Sequence, residues 1–479
     1  MKISKEKLFL FGGGAIFVLL NTLAITQEIL IFPVVSIFVL LVYLLIFRID
    51  ILLYVMAFVT PLSIPLRDAQ INLELSLPSE IIMIMITVLF FIRILYDFSI
   101  DKKLLKHPIS IALYVHFFWL IITTITSEIP MVSVKYIISR IWFVIPCYFM
   151  VLHLVKDNYK KIVTFFTCHI VAVAIVVLIT TVHHATKGFS DASAHWVMHP
   201  MYNDHTAYGA ILAFMIPIAV GFFFLPENKK KQKILYLVLT GILLMGFYLS
   251  YSRAAWLSLV GAVGVLVMLK LRIKLSWAIL GIALVGSSFY FFSEDILYKM
   301  SRNSQDSSGN FKEQIQSMSN ITTDASNVER LNRWVAAEGM IRERPIIGWG
   351  PGTYQFVYAP FQKGKYKTII STNFGDGGNA HSEYIGPWAE TGTVGMLTVL
   401  ALLSLILYYG ITTYTRSNDR TVRLIALSIV LGLITYFLHG FLNNFLDTDK
   451  LALPYWAAFA AIVVLNSKNR KPEIADKKA

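Results

Sequence analysis

Two polar residues lie where long apolar runs of this sequence begin, and their side chains suit chemistry on a phosphorylated substrate. Arg253 lies in the stretch LSYSRAAW at the tip of an apolar hairpin, where a charge is costly unless it is solvated or paired. A guanidinium can bind phosphate oxygens with two parallel hydrogen bonds. His381 lies in the stretch GGNAHSEY just before another apolar run, and an imidazole can act as a general base toward a hydroxyl group. The pair indicates an enzyme that handles an anionic, lipid-linked substrate.

Both residues also have a structural interpretation. Arg253 is compatible with an interfacial arginine that extends to water beside a belt of Tyr and Trp side chains. Ser382 and Glu383, which follow His381, are compatible with a cluster that caps the start of a helix. The residue types alone leave these alternatives open.

Arg330 and Arg333 belong to a polar block that covers roughly residues 293–381. Apolar residues recur around them with the spacing of an amphipathic helix that lies over a membrane, and Pro345 ends this pattern. The glycines of the following PIIGWGPG stretch predict a tight turn. We predict that the two arginines bind substrate or lie near lipid headgroups, and both interpretations stay open.

Three further residues are candidates for substrate binding near Arg253. Asn203 and His205 enter an apolar run from the same side and are predicted to line the same cavity. Arg140 is predicted just inside the outer end of another span, where it binds substrate or only pairs with a neighbour. His205 is one of five histidines in residues 183–205, but their spacing matches no catalytic zinc pattern. We therefore predict no metal and no cofactor.

A series of membrane-length apolar runs must position these residues. The chain is 56% hydrophobic and its mean hydropathy is +0.64, which is typical of a membrane protein. Repeated spans of this kind are helices, because lipid offers no partner for backbone polar groups. We predict an all-α polytopic membrane protein with about 12–14 transmembrane helices and one large periplasmic loop. The predicted spans are residues 8–25, 30–47, 50–64, 80–97, 109–126, 136–155, 161–182, 207–225, 234–251, 254–270, 275–293, 384–411, 420–441 and 451–466.

Every second connection between the predicted spans is rich in lysine and arginine, and this pattern predicts the orientation of the chain in the membrane. The positive-inside rule places the lysine- and arginine-rich connections and both termini in the cytoplasm. The net charge of +13 is then explained mostly by membrane topology, and the basic residues also contact anionic membrane lipids. The charge does not indicate nucleic-acid binding. Arg253 and the polar block are then predicted on the opposite, outer side, which favours a binding role for Arg253.

The same reasoning divides the chain into five segments. These are N-terminal transmembrane helices and outer loops (1–206), transmembrane helices with the Ser-Arg hairpin (207–293), the large periplasmic loop (294–383), C-terminal transmembrane helices (384–466) and a cytoplasmic tail (467–479). Cys147 and Cys168 fall inside apolar runs and have no metal or redox spacing, so they are predicted to be small buried hydrophobes.

Three features resemble the O-antigen ligase and polymerase superfamily of bacterial inner-membrane glycosyltransferases. They are SRA at residues 252–254, the 330–352 stretch that ends PIIGWGPG, and Ala-His at 380–381 followed by E-x-G-x-x-G from Glu390. The resemblance covers roughly residues 200–440. It implies metal-free transfer of a glycan from undecaprenyl diphosphate to a lipid or glycan acceptor on the periplasmic face. Arg253 would bind the diphosphate, His381 would activate or hold the acceptor hydroxyl, and Glu390 would join the substrate-binding residues.

Two positions depart from the family pattern. Ligases of this type have an additional arginine in the outer region before the Ser-Arg hairpin, and residues 183–206 contain none. Ser382 follows His381 where Asn is common.

Several functions fit these features. A ligase would transfer the glycan to lipid A–core or a similar acceptor in lipopolysaccharide biosynthesis, a polymerase would join two lipid-linked repeats, and a protein O-oligosaccharyltransferase would modify protein hydroxyls. A transporter is the alternative from another class. It is disfavoured because the informative charges cluster at the outer boundary and no internal repeat is found.

Overall fold

A computed structural model describes residues 22, 26, 31–68, 73–96, 101–273, 325–364, 371 and 378–469. The predicted spans 8–25 and 275–293 lie outside these residues, except for Thr22. Helices dominate the described chain. They are α1 Ile31–Phe47, α2 Ile49–Val59, α3 Ser79–Tyr96, α4 Lys102–Leu105, α5 Pro108–Ile125, α6 Pro130–Val144, α7 Val151–Val155, α8 Lys160–Thr186, α9 Asp191–Ala194, α10 His205–Phe223, α11 Lys230–Leu249, α12 Arg253–Lys270, α13 Ala325–Glu343, α14 Tyr354–Val357, α15 Ile385–Arg416, α16 Arg420–His439 and α17 Asp449–Asn469.

Long apolar helices confirm the predicted fold class. In the described part of the chain, 10 helical segments are long and apolar enough to cross a membrane, and two more, Val35–Phe47 and Ile49–Leu62, are apolar but shorter. Together they account for every predicted span that lies within the described residues. The protein is therefore an all-α polytopic membrane protein.

Two local features differ from the expectation. The span predicted to start at residue 136 begins at Pro130, because proline is well suited to the first turn of a helix, and it continues through a π-helical segment, Ile145–Met150, into α7. The connection after α2 contains a short antiparallel hairpin, β1 Ile64–Asp68 and β2 Leu73–Leu77, with Ile64 opposite Leu77.

The most buried helices form the centre of the bundle. The apolar windows of α17, α16 and α10 are 94%, 83% and 72% buried, whereas that of α12 is 17% buried. The described residues up to Val55 belong to one compact unit, and those from Met56 onward belong to a second, which contains all the candidate residues.

The helix predicted in the polar block is present as α13, and it ends before Pro345. Its buried Ala336, Ala337 and Met340 belong to one apolar cluster with Trp349 and other aromatic residues that follow in the chain. The Trp349 indole donates a hydrogen bond to the Met340 carbonyl oxygen at 3.0 Å. The PIIGWGPG stretch is thereby folded back against α13.

A cationic candidate site at one end of the bundle

The Ser-Arg hairpin is present as predicted, and α10 packs closely against it. Helix α11 ends at Leu249, Tyr251 turns the chain with a φ of 51°, and Arg253 is the first residue of α12. A Cβ atom on Gly209 would lie 2.6 Å from the Ser252 Cβ. Only glycine permits this approach, which brings the first turn of α10 beside the half-buried Arg253.

The first residues of α10 carry the next group of polar side chains. One oxygen of the Asp204 carboxylate accepts hydrogen bonds from the backbone N–H groups of Thr206 and Ala207, both at 2.7 Å, and caps the helix. The Nδ1 atoms of His205 and His195 lie 3.1 Å apart. Asn203 is exposed in the loop just before this cap.

The charges around His205 connect it to both sides of the site. Asp204, Arg253 and Arg330 all act electrostatically on the His205 imidazole. Such interactions weaken with distance and in water, so these side chains share one neighbourhood. His205 therefore interacts electrostatically both with Arg253 of the hairpin and with Arg330 of α13.

His381 adopts a backbone conformation that few residues other than glycine use. Its φ is 48°, and its N–H donates a hydrogen bond to the Asn379 side-chain oxygen at 3.0 Å. The Ser382 hydroxyl accepts hydrogen bonds from the N–H groups of Tyr384 and Ile385, both at 3.3 Å. Ser382 thus binds backbone N–H groups at the start of α15, and the half-buried His381 is not part of these two bonds.

The environment of His381 favours a neutral imidazole. Burial, reinforced by the positive charges of Arg330 and Arg333, lowers the pKa of His381 to about 4. Glu329 and Asp204 act in the opposite direction. At neutral pH the ring can therefore accept a hydrogen bond from a hydroxyl group.

Arg330 and Arg333 occupy different environments although both belong to α13. The half-buried Arg330 donates from Nε to the Leu442 carbonyl oxygen at 3.2 Å. Arg333 is 3% exposed, and its Nε lies 2.6 Å from a Glu329 carboxylate oxygen. Its guanidinium also lies over the Tyr358 ring, 4.2 Å from the ring centroid. Arg330 is thus accessible to a ligand, whereas Arg333 is built into the interior of the polar block.

Arg140 and Glu390 each make extensive contacts within the protein. Arg140 donates to the Leu446 carbonyl oxygen, to Asp447 and, at 3.0 Å, to the Tyr136 hydroxyl. The buried Glu390 carboxylate accepts a hydrogen bond from the Tyr354 N–H at 3.0 Å. Arg140 therefore has the neighbouring partners that one interpretation of the sequence anticipated, and Glu390 holds the chain that follows the glycine-rich turn.

Arg140 and Glu390 also line a cavity within the bundle. Aromatic and aliphatic side chains form most of its wall, including Tyr384 and Trp456, and Glu383 contributes a carboxylate. The cavity wall thus includes Glu383 and Tyr384, which lie two and three residues after His381.

Sequence reasoning missed Asp204, and it anticipated for Glu383 only a helix-capping role. Asp204 acts on His205, His381 and His439, and Glu383 binds the connection between α16 and α17. The signal for Asp204 was its position as a helix-capping aspartate before an apolar run. No comparable signal marked the partners of Glu383, since they lie more than fifty residues later.

The arrangement suits an anionic ligand that also carries, or meets, a hydroxyl group. Arg253 and Arg330 supply positive charge near His205, and Arg330 also acts on His381. Within the described residues, no group of three or more His, Cys, Asp or Glu side chains is placed to hold a metal ion.

Fold and site together define a polytopic membrane protein with a cationic site at one end of its bundle. Residues 240–400, which include Arg253, Arg330 and His381, match the family described as O-Antigen ligase. This part of the chain is therefore similar to the O-antigen ligase family. The chain is also 22% identical over 258 residues to an uncharacterized protein of Haemophilus influenzae. That similarity covers 53% of this chain and 62% of the relative's length.

Proposed function

We propose that this protein transfers a glycan from undecaprenyl diphosphate to an acceptor such as lipid A–core, on the periplasmic face of the bacterial inner membrane. The family match supports a glycan ligase or polymerase. The donor and the acceptor named here are our proposal. In this orientation both termini lie in the cytoplasm, as the basic connections favour. The catalytic residues are Arg253 and His381, and Arg330 and His205 bind substrate.

One observation supports this function most directly. Arg330 acts electrostatically on both His205 and His381, and Arg253 acts on His205. Two arginines from distant parts of the chain therefore act on His205, and one of them, Arg330, also acts on His381. A diphosphate with a long hydrocarbon chain and a sugar fits this combination, because the charge can meet the arginines while the chain stays in lipid.

The chemistry follows from these positions. The acceptor hydroxyl oxygen forms a bond to the anomeric carbon of the donor sugar, and the bond from that carbon to the diphosphate oxygen breaks. Arg253 and Arg330 stabilise the negative charge that develops on the departing diphosphate. His381 takes the hydroxyl proton. A bound diphosphate offsets the arginine charges near His381 and so makes its imidazole more basic than in the free enzyme.

Polysaccharide display in a deletion strain tests the proposal. The strain is complemented with wild-type protein, Arg253→Ala, His381→Ala or the control Arg342→Ala at matched expression. Arg342 belongs to α13, but its side chain is 78% exposed and pairs with Glu338. We expect display with wild type and the control only, with long chains remaining on the lipid carrier in the two other strains.

Other outcomes identify the competing functions. Accumulation of single lipid-linked repeats in the deletion strain would identify a polymerase, and loss of glycan from proteins alone would identify a protein O-oligosaccharyltransferase. Full display with both Arg253→Ala and His381→Ala would contradict the proposed catalytic roles and would favour a transporter.

A further inference from the structure

The connection between α16 and α17, residues 440–447, contacts several candidate residues at once. The Gly440 carbonyl oxygen accepts a hydrogen bond from the Glu383 N–H at 2.8 Å. The Leu442 carbonyl oxygen accepts one from Arg330 Nε at 3.2 Å, and the Leu446 carbonyl oxygen accepts one from Arg140. We call this segment the 440–447 turn.

Glu383 holds the 440–447 turn with its side chain as well as its backbone. One carboxylate oxygen accepts hydrogen bonds from the backbone N–H groups of Phe445 at 2.8 Å and Leu446 at 3.0 Å. The same oxygen accepts a hydrogen bond from the Tyr436 hydroxyl. The carboxylate thus joins the last turns of α16, the 440–447 turn and the chain just before α15.

These contacts form a continuous path from Arg330 to His381. Arg330 is held by Leu442, the 440–447 turn is held by Glu383, and Glu383 lies two residues after His381. His381 has a positive φ, so its orientation depends on the segments fixed on either side of it. A change in the 440–447 turn would therefore move Arg330 and His381 relative to each other.

We propose that Glu383 is a positioning residue, which sets the distance and orientation between Arg330 and His381 by binding the 440–447 turn. This inference rests on the proposed function for its kinetic consequence, but its structural consequence can be measured without catalysis. Glu383 itself need not touch the substrate, because its hydrogen bonds act through Arg330 and His381.

Two substitutions of Glu383 separate its geometry from its charge. Glu383→Gln removes the charge but keeps an oxygen that can accept the backbone hydrogen bonds, whereas Glu383→Ala removes both. We expect Glu383→Ala to lower kcat/KM by about tenfold to a hundredfold, the range for losing buried hydrogen bonds at a site, and Glu383→Gln to stay within about threefold of wild type. Glu338→Gln is the matched control, since its exposed carboxylate pairs only with Arg342 among the described contacts.

A second readout reports on His381 directly. Carbethoxylation by diethyl pyrocarbonate modifies neutral imidazole, and mass spectrometry of the His381 peptide follows its rate against pH in the full-length protein in nanodiscs. Arg330, Arg333 and Glu329 of α13 and Asp204 at the start of α10 act on this ring. We expect the pH at which the His381 modification rate is half-maximal, its midpoint, to rise toward the ordinary histidine pKa in Glu383→Ala, because a released turn admits water and moves Arg330 away. In Glu383→Gln the midpoint should stay near that of wild type.

The two readouts distinguish failure of the inference from failure of the proposed function. If wild type transfers glycan and Glu383→Ala changes neither kcat/KM nor the midpoint, the positioning role is wrong and the function stands. If wild type transfers no glycan but the midpoint rises in Glu383→Ala alone, the proposed function is wrong and the positioning role stands. Lower thermal stability in Glu383→Ala with an unchanged midpoint would reduce Glu383 to a structural residue and overturn the inference.

Discussion

At the residue scale, Arg330 and Arg333 illustrate how position decides the role of identical side chains. The Arg333 guanidinium is enclosed by Glu329 and the Tyr358 ring, so its charge is already compensated inside the protein. Arg330 is half-buried, so it is more accessible to a ligand than Arg333, which is 3% exposed. Arg330 is therefore the better candidate for binding an anion.

This difference predicts the effect of substituting Arg330. Arg330→Ala should weaken donor binding, seen as a higher KM for the lipid-linked donor, by about tenfold or more, because a charge-assisted hydrogen bond is worth roughly 1.5–3 kcal/mol. Arg330→Lys should restore part of this loss, since lysine keeps the charge without the two-pronged geometry. Transfer assays with purified protein measure both values. An equal effect of Arg342→Ala, on the exposed face of the same helix, would refute a specific role for Arg330.

The low pKa of His381 predicts a characteristic pH dependence. In the free enzyme the imidazole is neutral above about pH 4. As the pH is lowered, kcat/KM should therefore fall only near that value. Bound diphosphate favours the protonated ring and raises its pKa, so the acid limb of kcat should lie at higher pH than that of kcat/KM. Rate profiles between about pH 4 and 8 test this order. The reverse order would contradict the proposed position of the diphosphate near His381.

At the element scale, a pair of glycines joins the polar block to α15. Gly348 and Gly392 have φ values of 66° and 69°, and a Cβ on either residue would collide with backbone atoms of the opposite segment. The Gly350 N–H also donates to the Glu390 carbonyl oxygen at 2.7 Å. The two segments are therefore in backbone contact, which no side chain larger than hydrogen permits.

Gly392→Ala should accordingly destabilise the folded protein. The left-handed conformation costs alanine about 1–2 kcal/mol, and the collision with the backbone around Ile346 adds to this cost. Thermal unfolding in detergent should show a lower midpoint. Gly364→Ala provides the control, because nothing lies within 4 Å of a Cβ at that position and its φ is not in the left-handed region. Equal midpoints for the two variants would contradict this account.

Sequence alone predicted the membrane helices far better than the connections that bring the site together. The spans follow from hydrophobic length, which each segment carries by itself. Arg253, Arg330 and His381 were recognisable by residue type and boundary position. The bonds from Glu383 to Phe445 and Leu446 join segments far apart in sequence, and residues 440–447 carry no motif, so their role in holding Arg330 was not predictable.

At the scale of the whole molecule, the ends of the bundle differ in the polar contacts that they make. At the end opposite the candidate site, Lys160 pairs with Glu227 at 2.5 Å and Tyr159 donates to Asp419 at 2.7 Å. Lys468 there donates to the Asp157 carbonyl oxygen at 3.0 Å. This end contains the basic connections that the positive-inside rule assigns to the cytoplasm. The proposed orientation therefore places the candidate site on the periplasmic side.

Cysteine labelling tests this orientation. Cys147 and Cys168, which are buried and half-buried, are replaced by alanine, and a single cysteine is introduced as Lys363→Cys or Lys231→Cys at exposed positions. Lys363 belongs to the polar block, and Lys231 to the opposite end. A membrane-impermeant maleimide should label Lys363→Cys in intact spheroplasts and Lys231→Cys only after permeabilisation, because a charged reagent does not cross the bilayer. The reverse pattern would put the arginines and His381 on the cytoplasmic face, where a periplasmic donor could not reach them.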